Sequence, residues 1–373
     1  RGVDVGTRAT QVAGAKQTQR HLQEHRPTMA SFEEFSTYDA IGLAELVKRR
    51  HVSAAELLQA SLSQVERFNP RLGAVVHLEV EVAERSIAAG LPEGPFTGVP
   101  FLLKDLGAEA IDFPTSMGSR LFKDTRHTFD SEIYLRLERS GLVTYGRTAS
   151  PEFGIGATTE AQAYGAPTRN PWNLEHTSGG SSGGAASAVA AGILPAAHGS
   201  DGGGSVRIPA SSCGLFGLKP TRARLPDGPA TGEGWAGMAI DGFLTRSVRD
   251  TAALIDATHG PDLGAPYLAP AVAWPFLAEI EKPPRRLKIA YTLKSFTGAA
   301  LDYECATAVG DAATLLDSLG HDVEEAAPKI DILDIMRAFC VVVASGVLLS
   351  VRARQAALGR DVGADELEPS THG

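Results

Sequence analysis

Two glycine- and serine-rich clusters, joined by one alanine-rich segment, constrain the fold of this chain more than any other feature. The first reads TSGGSSGG over residues 177–184 and leads directly into AASAVAAGILPAAHG. The second, DGGGSVRIP over residues 201–209, follows an apolar segment at 193–197 that is typical of a short strand. Glycines beside a helix or strand end let backbone N–H groups converge on one anionic group. The clusters therefore predict two tight turns around one buried helix and one strand.

Other interpretations of these clusters remain open. The segment 177–184 has the composition of a flexible linker, and DGGG is also typical of a plain loop. The stretch GGSSG matches the nucleophile-elbow pattern G-x-S-x-G, which requires an apolar strand before the serine. Residues 170–178 are polar and contain a proline, so this context is absent. Three glycines before Ser205, in contrast, fit a turn that presents N–H donors as an oxyanion hole does.

Apolar periodicity elsewhere predicts alternating helices and strands, which is typical of an α/β layer architecture. Ser53 and Glu56 form a capping-box pattern at the start of one helix, and Asn69 and Pro70 are expected to end it. No internal repeat is visible. We expect helices at 38–50, 53–68, 79–89, 133–140, 185–192, 250–259 and 304–319, and strands at 74–78, 94–105, 142–145, 193–197 and 287–291.

Composition excludes several classes of function. The chain has 373 residues, with 35 Lys and Arg against 44 Asp and Glu. Its net charge of −9 does not indicate the excess of positive charge that binding to nucleic acid or to an anionic membrane requires. The three cysteines, Cys213, Cys305 and Cys340, form neither a disulfide framework nor a CxxC zinc motif, which suits the reducing cytoplasm. The histidines lack paired ligand spacing, so no metal is expected, and no G-x-G-x-x-G follows a strand to indicate a nucleotide cofactor.

The two ends of the chain are polar. Residues 1–28 are Gln-rich without an apolar h-region, so we expect a disordered extension before a start near Met29, or alternatively a partner-binding arm. Residues 360–373 predict either a disordered terminus or a chain that stops before its fold is complete. The most apolar stretch is expected at 185–197, and no run approaches the ~20 residues of a membrane span. We therefore expect a soluble, cytoplasmic protein.

The two clusters and a lysine upstream resemble the amidase signature family of serine hydrolases. The matching stretches are GVPFLLKD (98–105), GRTASPEF (146–153), NPWN (170–173), GGSSGG (179–184), DGGGSVRIP (201–209) and CGLFGLKPT (213–221). The resemblance implies an α/β fold with a central, mostly mixed β-sheet covered by helices on both faces. It also implies one amidase signature domain over residues 29–373, apparently without its C-terminal part.

The resemblance implies the site residues as well. Ser205 takes the place of the family nucleophile, Ser181 that of the bridging serine after a cis peptide bond, and Lys104 that of the base. The amides of Gly202, Gly203, Gly204 and Ser205 take the place of the oxyanion hole, and Ser182 is expected to hydrogen-bond within its turn. A lysine accepts a proton only when it is neutral, and burial after an apolar strand favours that form. No cofactor or metal is implied, and Asp201 and Arg207 are expected to pair and brace the loop.

Several stretches are more similar to the 6-aminohexanoate-cyclic-dimer hydrolase branch of the family. These are residues 96–106, 158–174, 205–224 and 301–306. This similarity implies a small, uncharged or cyclic amide as substrate, and a homodimer is possible. Cys340 aligns with a substrate-facing position of the branch, although a buried packing cysteine is the alternative. Departures from the family pattern fall at Gly202, usually Thr or Ile, at 147–149, usually Lys-Thr-Asn, and at Ser178, often Pro.

Two other functions are compatible with the sequence. An amidotransferase A-type subunit would pass released ammonia to a partner subunit. A non-catalytic, truncated remnant would hold a ligand on the glycine loops without turnover. The expected activity is hydrolysis of carbon–nitrogen amide bonds through an acyl-enzyme.

Overall fold

Helices and strands alternate along the chain in a computed structural model, which describes residues 32–123 and 125–372. The expected extension at 1–28 and the start at Met29 lie outside these residues. The helices are α1 (Ala40–Lys48), α2 (Ala54–Leu72), α3 (Val80–Ala89), α4 (Glu132–Arg139), α5 (Gly183–Ala190), α6 (Arg207–Cys213), α7 (Val248–Thr258), α8 (Phe276–Glu279), α9 (Tyr303–Ser318), α10 (Ile332–Leu358) and α11 (Pro369–His372). The strands are β1 (Val75–Leu78), β2 (Pro100–Lys104), β3 (Val143–Thr148), β4 (Arg169–Asn170), β5 (Asn173–Thr177), β6 (Ala196–Asp201), β7 (Phe216–Leu218), β8 (Ile240–Thr245), β9 (Lys288–Tyr291) and β10 (Asp322–Glu325). Short 3₁₀ segments lie at Glu33–Thr37, Arg120–Phe122, Glu152–Gly154 and Gln162–Tyr164.

Two three-stranded sheets lie beside each other at the centre. One has the order β1–β3–β2 and is mixed, because β3 pairs with β1 antiparallel and with β2 parallel. The other has the order β6–β8–β7 and is antiparallel. Strands β2 and β6 contact each other, so the two sheets meet there. The α/β class expected from the sequence is confirmed, with a centre built from two adjoining sheets.

Strand β2 is buried along its whole length. Phe101 and Leu103 pack in one core cluster with α1 and α7, whereas Leu102 packs in the other cluster with α5. Side chains alternate between the faces of a strand, so a strand between two layers reads as a continuous apolar run. By the same alternation, Lys104 leaves the strand on the face of Leu102, toward the start of α5.

The predicted helices and strands are present, but several boundaries differ. The strand expected at 94–105 begins at Pro100, and the strand expected at 193–197 lies at Ala196–Asp201. The capping box at Ser53 and Glu56 is formed, with both reciprocal hydrogen bonds. Helix α2 does not end at Asn69 and Pro70 but continues through Pro70 to Leu72. Gly73 ends it with a left-handed backbone, φ 58°, which a residue without a Cβ adopts at little cost.

Helix α10 contradicts the expectation that 185–197 is the most apolar stretch and that no segment approaches a membrane span. By length and composition, this one helix among the described residues could cross a membrane. Core helices of soluble proteins share this length and composition. Only Val343 of α10 is buried, and no residue of α9 is. The uncharged run of α10 at 338–351 lies between Arg337 and Arg352 and is shorter than the ~20 residues of a membrane span, which is why the sequence pattern did not reveal the helix.

The polar segment at 360–372 packs against the rest of the protein, so the disordered alternative is wrong for these residues. The amide of Leu121 donates to the carbonyl of Glu366 at 3.1 Å. The amide of Glu368 donates to the Glu152 carboxylate at 2.9 Å. These bonds hold the segment against two loops, the one that follows β2 and the one that follows β3.

Candidate active site

Lys104 is fully buried at the end of β2, and its ammonium group faces two serine hydroxyls. Nζ donates a hydrogen bond to Oγ of Ser181 at 2.7 Å and another to Oγ of Ser200 at 3.0 Å. Ser181 belongs to the turn before α5, and Ser200 belongs to β6. The structure therefore brings Lys104 and Ser181 together as expected, and adds Ser200, which the sequence did not indicate.

Burial controls the protonation of Lys104. Removal from water disfavours the charged form and lowers the pKa of Lys104 to about 7, although the carboxylates of Asp241 and Asp201 raise it. At neutral pH, Lys104 is therefore uncharged in a substantial fraction of the protein molecules. An uncharged amine can accept a proton from a neighbouring hydroxyl, which an exposed lysine cannot do at this pH.

The turn before α5 holds Ser181 in an unusual backbone. The Gly180–Ser181 peptide bond is cis. A Cβ atom on Gly180 would lie 2.6–2.8 Å from the backbone of Thr158, so only glycine fits there. The segment 177–184 is thus a packed turn rather than a linker, and Ser181 itself is 2% exposed.

Ser182 links the two glycine clusters, instead of bonding within its own turn as expected. Its hydroxyl lies 3.3 Å from both the carbonyl and the amide of Ser200. Its amide donates to the carbonyl of Ser205 at 3.1 Å. Ser182 is completely buried, so it fixes the position of the Ser205 loop relative to Ser181.

Asp201 and Arg207 brace the second loop, as predicted. Nε and Nη2 of Arg207 each donate to the Asp201 carboxylate at 2.9 Å. Burial raises the pKa of Asp201, but hydrogen bonds from Arg207 and from the amides of Val206 and Gly204 outweigh it and hold this pKa below its usual value. The carboxylate is therefore ionised and organises the loop around itself.

One of the four amides expected in the oxyanion hole, that of Gly204, is bound by the Asp201 carboxylate instead. The amide of Gly204 donates to Oδ1 of Asp201 at 2.7 Å, so this N–H is not available to a ligand. The amides of Gly202, Gly203 and Ser205 make no hydrogen bond to the described residues. The hydroxyl of Ser205 likewise has no partner in that part of the chain, and its side chain is half-buried.

A histidine and an aspartate that the sequence analysis missed lie behind Lys104. The amide of Lys104 donates to Nδ1 of the fully buried His198 at 3.2 Å. Nε2 of His198 lies 3.1 Å from Oδ1 of Asp241 on the neighbouring strand β8. The strand order β6–β8 places these groups together, and no sequence motif indicates it.

Cys340 is exposed on α10, so the alternative of a buried packing cysteine is wrong. The helix turns its neighbour Phe339 toward the second loop. A Cβ atom on Gly203 would lie 3.3 Å from Cζ of Phe339. The substrate-facing role of Cys340 stays a prediction.

The comparisons with known proteins show the family to which the chain belongs. The Amidase family model matches residues 56–366. The chain belongs to the amidase family. It is 43% identical over 296 residues to the 6-aminohexanoate-cyclic-dimer hydrolase of Paenarthrobacter ureafaciens, an alignment that covers 78% of this chain and 59% of that relative. The chain thus spans less than two thirds of the length of this relative.

Solved structures of amidase relatives share the fold. A structure of 6-aminohexanoate cyclic dimer hydrolase superimposes with a TM-score of 0.85 at 38% identity, covering 90% of this chain and 70% of that one. A bacterial aryl acylamidase of the amidase signature family superimposes with a TM-score of 0.80 at 30% identity, covering 90% and 71%. The family and the similarity to its cyclic-dimer branch, predicted from the motifs, are confirmed.

Arg147 occupies the position where the amidase family usually has lysine, and its role is visible. It is fully buried, and its guanidinium donates five hydrogen bonds to four backbone carbonyls. The acceptors are the carbonyls of Phe113 (3.0 and 2.8 Å), Lys104 (2.7 Å), Gly107 (3.1 Å) and Ala108 (2.9 Å). Burial lowers the pKa of Arg147 to about 10, opposed by Asp105 and Glu109. Arg147 thereby stabilises the loop that follows Lys104. The ammonium group of a lysine has only three N–H donors and could not make all five of these hydrogen bonds.

A metal ion requires ligand side chains that are grouped around one point. Among residues 32–123 and 125–372, no three His, Cys, Asp or Glu side chains are placed to hold a metal ion. Cys213 is buried and Cys305 exposed, both as free thiols. That the protein acts without metal or cofactor stays a prediction.

Proposed function

We propose that this chain carries the catalytic centre of an amidase, which hydrolyses carbon–nitrogen amide bonds through Lys104, Ser181 and Ser205. The observation that supports this most is the 2.7 Å hydrogen bond between the buried Lys104 ammonium and the Ser181 hydroxyl. A hydroxyl is a weak nucleophile until a base accepts its proton. Lys104, with a pKa lowered to about 7 by burial, is suited to be that base.

The reaction begins with proton transfer through the two serines. Neutral Lys104 takes the proton of Ser181, and Ser181 takes the proton of Ser205. Oγ of Ser205 then forms a bond to the amide carbonyl carbon, and the electron pair of the C=O double bond moves to oxygen. The free amides of Gly202, Gly203 and Ser205 stabilise this oxyanion, and Asp201 holds the loop that presents them.

Collapse of the tetrahedral intermediate breaks the carbon–nitrogen bond. The proton returns from Lys104 through Ser181 to the leaving nitrogen, and the acyl group stays on Ser205 as an ester. Water then attacks this ester with its proton passing along the same relay. The products are an amine and a carboxylic acid, and the serine is restored.

The substrate class follows from similarity. The relatives named 6-aminohexanoate-cyclic-dimer hydrolases suggest a small, uncharged amide of the aminohexanoate type, either cyclic or linear. A homodimer, a cytoplasmic location and the absence of membrane or nucleic-acid partners stay predictions. The amidotransferase alternative would require a partner subunit that accepts ammonia.

The test is product analysis with the purified chain. The cyclic dimer of 6-aminohexanoate and a set of linear amides are incubated with the chain, and free amine and acid are quantified by mass spectrometry. We expect hydrolysis by the wild type, and a loss of more than about 1000-fold in Ser205→Ala. The matched control is Ser318→Ala, at an exposed serine of α9, which should retain full activity.

The contradicting result is a cooperatively folded wild type that releases no more product than Ser205→Ala. If that protein still binds the amides, as measured by calorimetry, the non-catalytic alternative is supported. Activity that appears only with a copurifying partner and ammonia acceptor would support the amidotransferase alternative instead.

A further inference from the structure

The turn at Gly234–Gly237 has a backbone that its residues do not favour. The amide of Gly237 donates to the carbonyl of Gly234 at 3.0 Å, which closes a four-residue turn. Its two central residues, Trp235 and Ala236, have φ values of 48° and 54°. Turns with positive φ at both central positions normally use Gly, Asn or Asp. A tryptophan held there is strained, and such strain is often found at functional sites.

The indole of Trp235 lies directly over Gly202, the first residue of the proposed oxyanion loop. A Cβ atom on Gly202 would lie 2.8 Å from Cε3 and 2.9 Å from Cζ3 of Trp235. The φ of Gly202 is not in the left-handed region, so the backbone does not require glycine there. The indole ring of Trp235 requires glycine at position 202, because it fills the space that a Cβ atom would take. This explains why the chain departs from the family pattern of Thr or Ile at this position.

Phe339 of α10 packs against the indole of Trp235. The two rings meet edge to face, with centroids 5.9 Å apart and an interplanar angle of 83°. Phe339 also contacts Gly203, where a Cβ atom would lie 3.3 Å from its Cζ. The pyrrole edge of Trp235 lies 3.5 Å from a Cβ position on Gly346, so α10 prevents the indole from moving away from Gly202.

We propose that Trp235 and Phe339 form an apolar wall that receives the acyl chain of the substrate and selects uncharged, aliphatic chains. The inference rests on the proposed function. If the carbonyl oxygen of an amide lies on the free amides of Gly202 and Gly203 and its carbon on Ser205, the neighbouring methylene groups must pass the two rings. Aromatic faces offer such groups a large apolar contact.

The charged groups around the turn are of both signs. Oε2 of Glu233 lies 3.0 Å from a Cβ position on Gly237, and Nε of Arg222 lies 2.9 Å from the same position. Burial raises the pKa of Asp227, whose Oδ2 lies 3.7 Å from a Cβ position on Gly234, to about 7. Selection of the acyl chain therefore rests on the two apolar rings, against which a charged group would lose its water without gaining a partner.

The test uses two fluorophosphonates that differ only in their alkyl group, methyl or octyl. The Ser205 oxygen bonds to phosphorus, fluoride leaves, and the serine proton passes to Lys104, so the reagents report the alkyl preference without an amide substrate. We expect the wild type to react faster with the octyl reagent. Trp235→Ala and Phe339→Ala should lower the octyl-to-methyl rate ratio about tenfold, and this ratio cancels any change in the reactivity of Ser205 itself.

Trp274→Ala is the matched control, because Trp274 is an exposed tryptophan outside the turn. It should keep the wild-type ratio. Trp235→Phe and Phe339→Leu keep an apolar side chain of smaller area, so if the alanine variants fail to fold these two should lower the ratio by about two- to threefold. A ratio unchanged in every wall variant that folds, or lowered equally in Trp274→Ala, overturns the wall but leaves the proposed function intact. A folded wild type that reacts with neither reagent overturns both.

Discussion

The ammonium nitrogen of Lys104 lies 2.7 Å from the hydroxyl oxygen of Ser181, although 77 positions separate the two residues in the sequence. Lys104 ends a strand buried between two core layers, and Ser181 lies in the glycine turn before α5. The strand removes Lys104 from water, and the turn places the Ser181 hydroxyl within hydrogen-bond distance of the lysine ammonium group. The proposed chemistry follows from this combination of burial and contact.

The first prediction concerns pH. The pKa of Lys104 is lowered to about 7 by burial, and only its neutral form can accept a proton. The rate of Ser205 labelling by a fluorophosphonate should therefore rise with pH, with a midpoint near 7, and level off above it. Lys104→Ala should be slower by about 100-fold or more without this transition. Stopped-time labelling from pH 5.5 to 9 checks the profile, and a wild-type rate independent of pH would contradict it.

The second prediction concerns Asp241, which raises the pKa of Lys104 against the effect of burial. Asp241→Asn removes that negative charge, so the protonated lysine loses a stabilising interaction and its pKa falls. The midpoint of the labelling profile should move to lower pH. The matched control is Asp311→Asn on the exposed face of α9, which should leave the midpoint unchanged. A midpoint that stays constant or moves upward in Asp241→Asn would show that this charge does not act on Lys104.

The third prediction compares the two serines that accept hydrogen bonds from Lys104. Ser181→Ala interrupts the proposed relay and should slow labelling by about 100-fold or more. Ser200→Ala removes one orienting bond at 3.0 Å and should slow labelling by about tenfold or less, in line with ~1 kcal/mol for such a bond. Parallel rate measurements at pH 8 test the order. Equal losses in the two variants would contradict distinct roles.

The fourth prediction concerns stability. Arg147→Met leaves four backbone carbonyls without their buried donor, so the free energy of unfolding should fall by about 3 kcal/mol or more. Arg147→Lys keeps the charge but offers fewer donors, and should also destabilise. Arg337→Met, at an exposed arginine of α10, should change stability by less than about 1 kcal/mol. Urea unfolding followed by circular dichroism measures all three, and a wild-type midpoint in Arg147→Met would refute this role.

Much of the fold could be predicted from local patterns in the sequence. The Ser53 capping box, the apolar run before Lys104 and the glycines before α5 each act within a few residues, so their effect is readable along the chain. Helix α10 was missed because Arg337 and Arg352 limit its uncharged run to 338–351, which is shorter than the ~20 residues that mark such a helix.

The site was predictable in its motifs but not in its surroundings. The bond between Asp201 and the Gly204 amide had a local signal, because aspartate side chains often accept from amides a few residues on. The contact of His198 with Asp241 depends on strand pairing. Trp235 and Phe339 meet the glycine loop only because the chain returns to it from distant segments. No pattern within one segment reveals such contacts.

The central claim is that Lys104 activates Ser205 for attack on a carbonyl. The most direct measurement is peptide mass spectrometry of the chain after reaction with a fluorophosphonate at pH 8. We predict a single phosphonate adduct on Ser205, strongly reduced in Lys104→Ala and absent in Ser205→Ala. An adduct on another serine, or no adduct on a wild type that unfolds cooperatively, would contradict the claim.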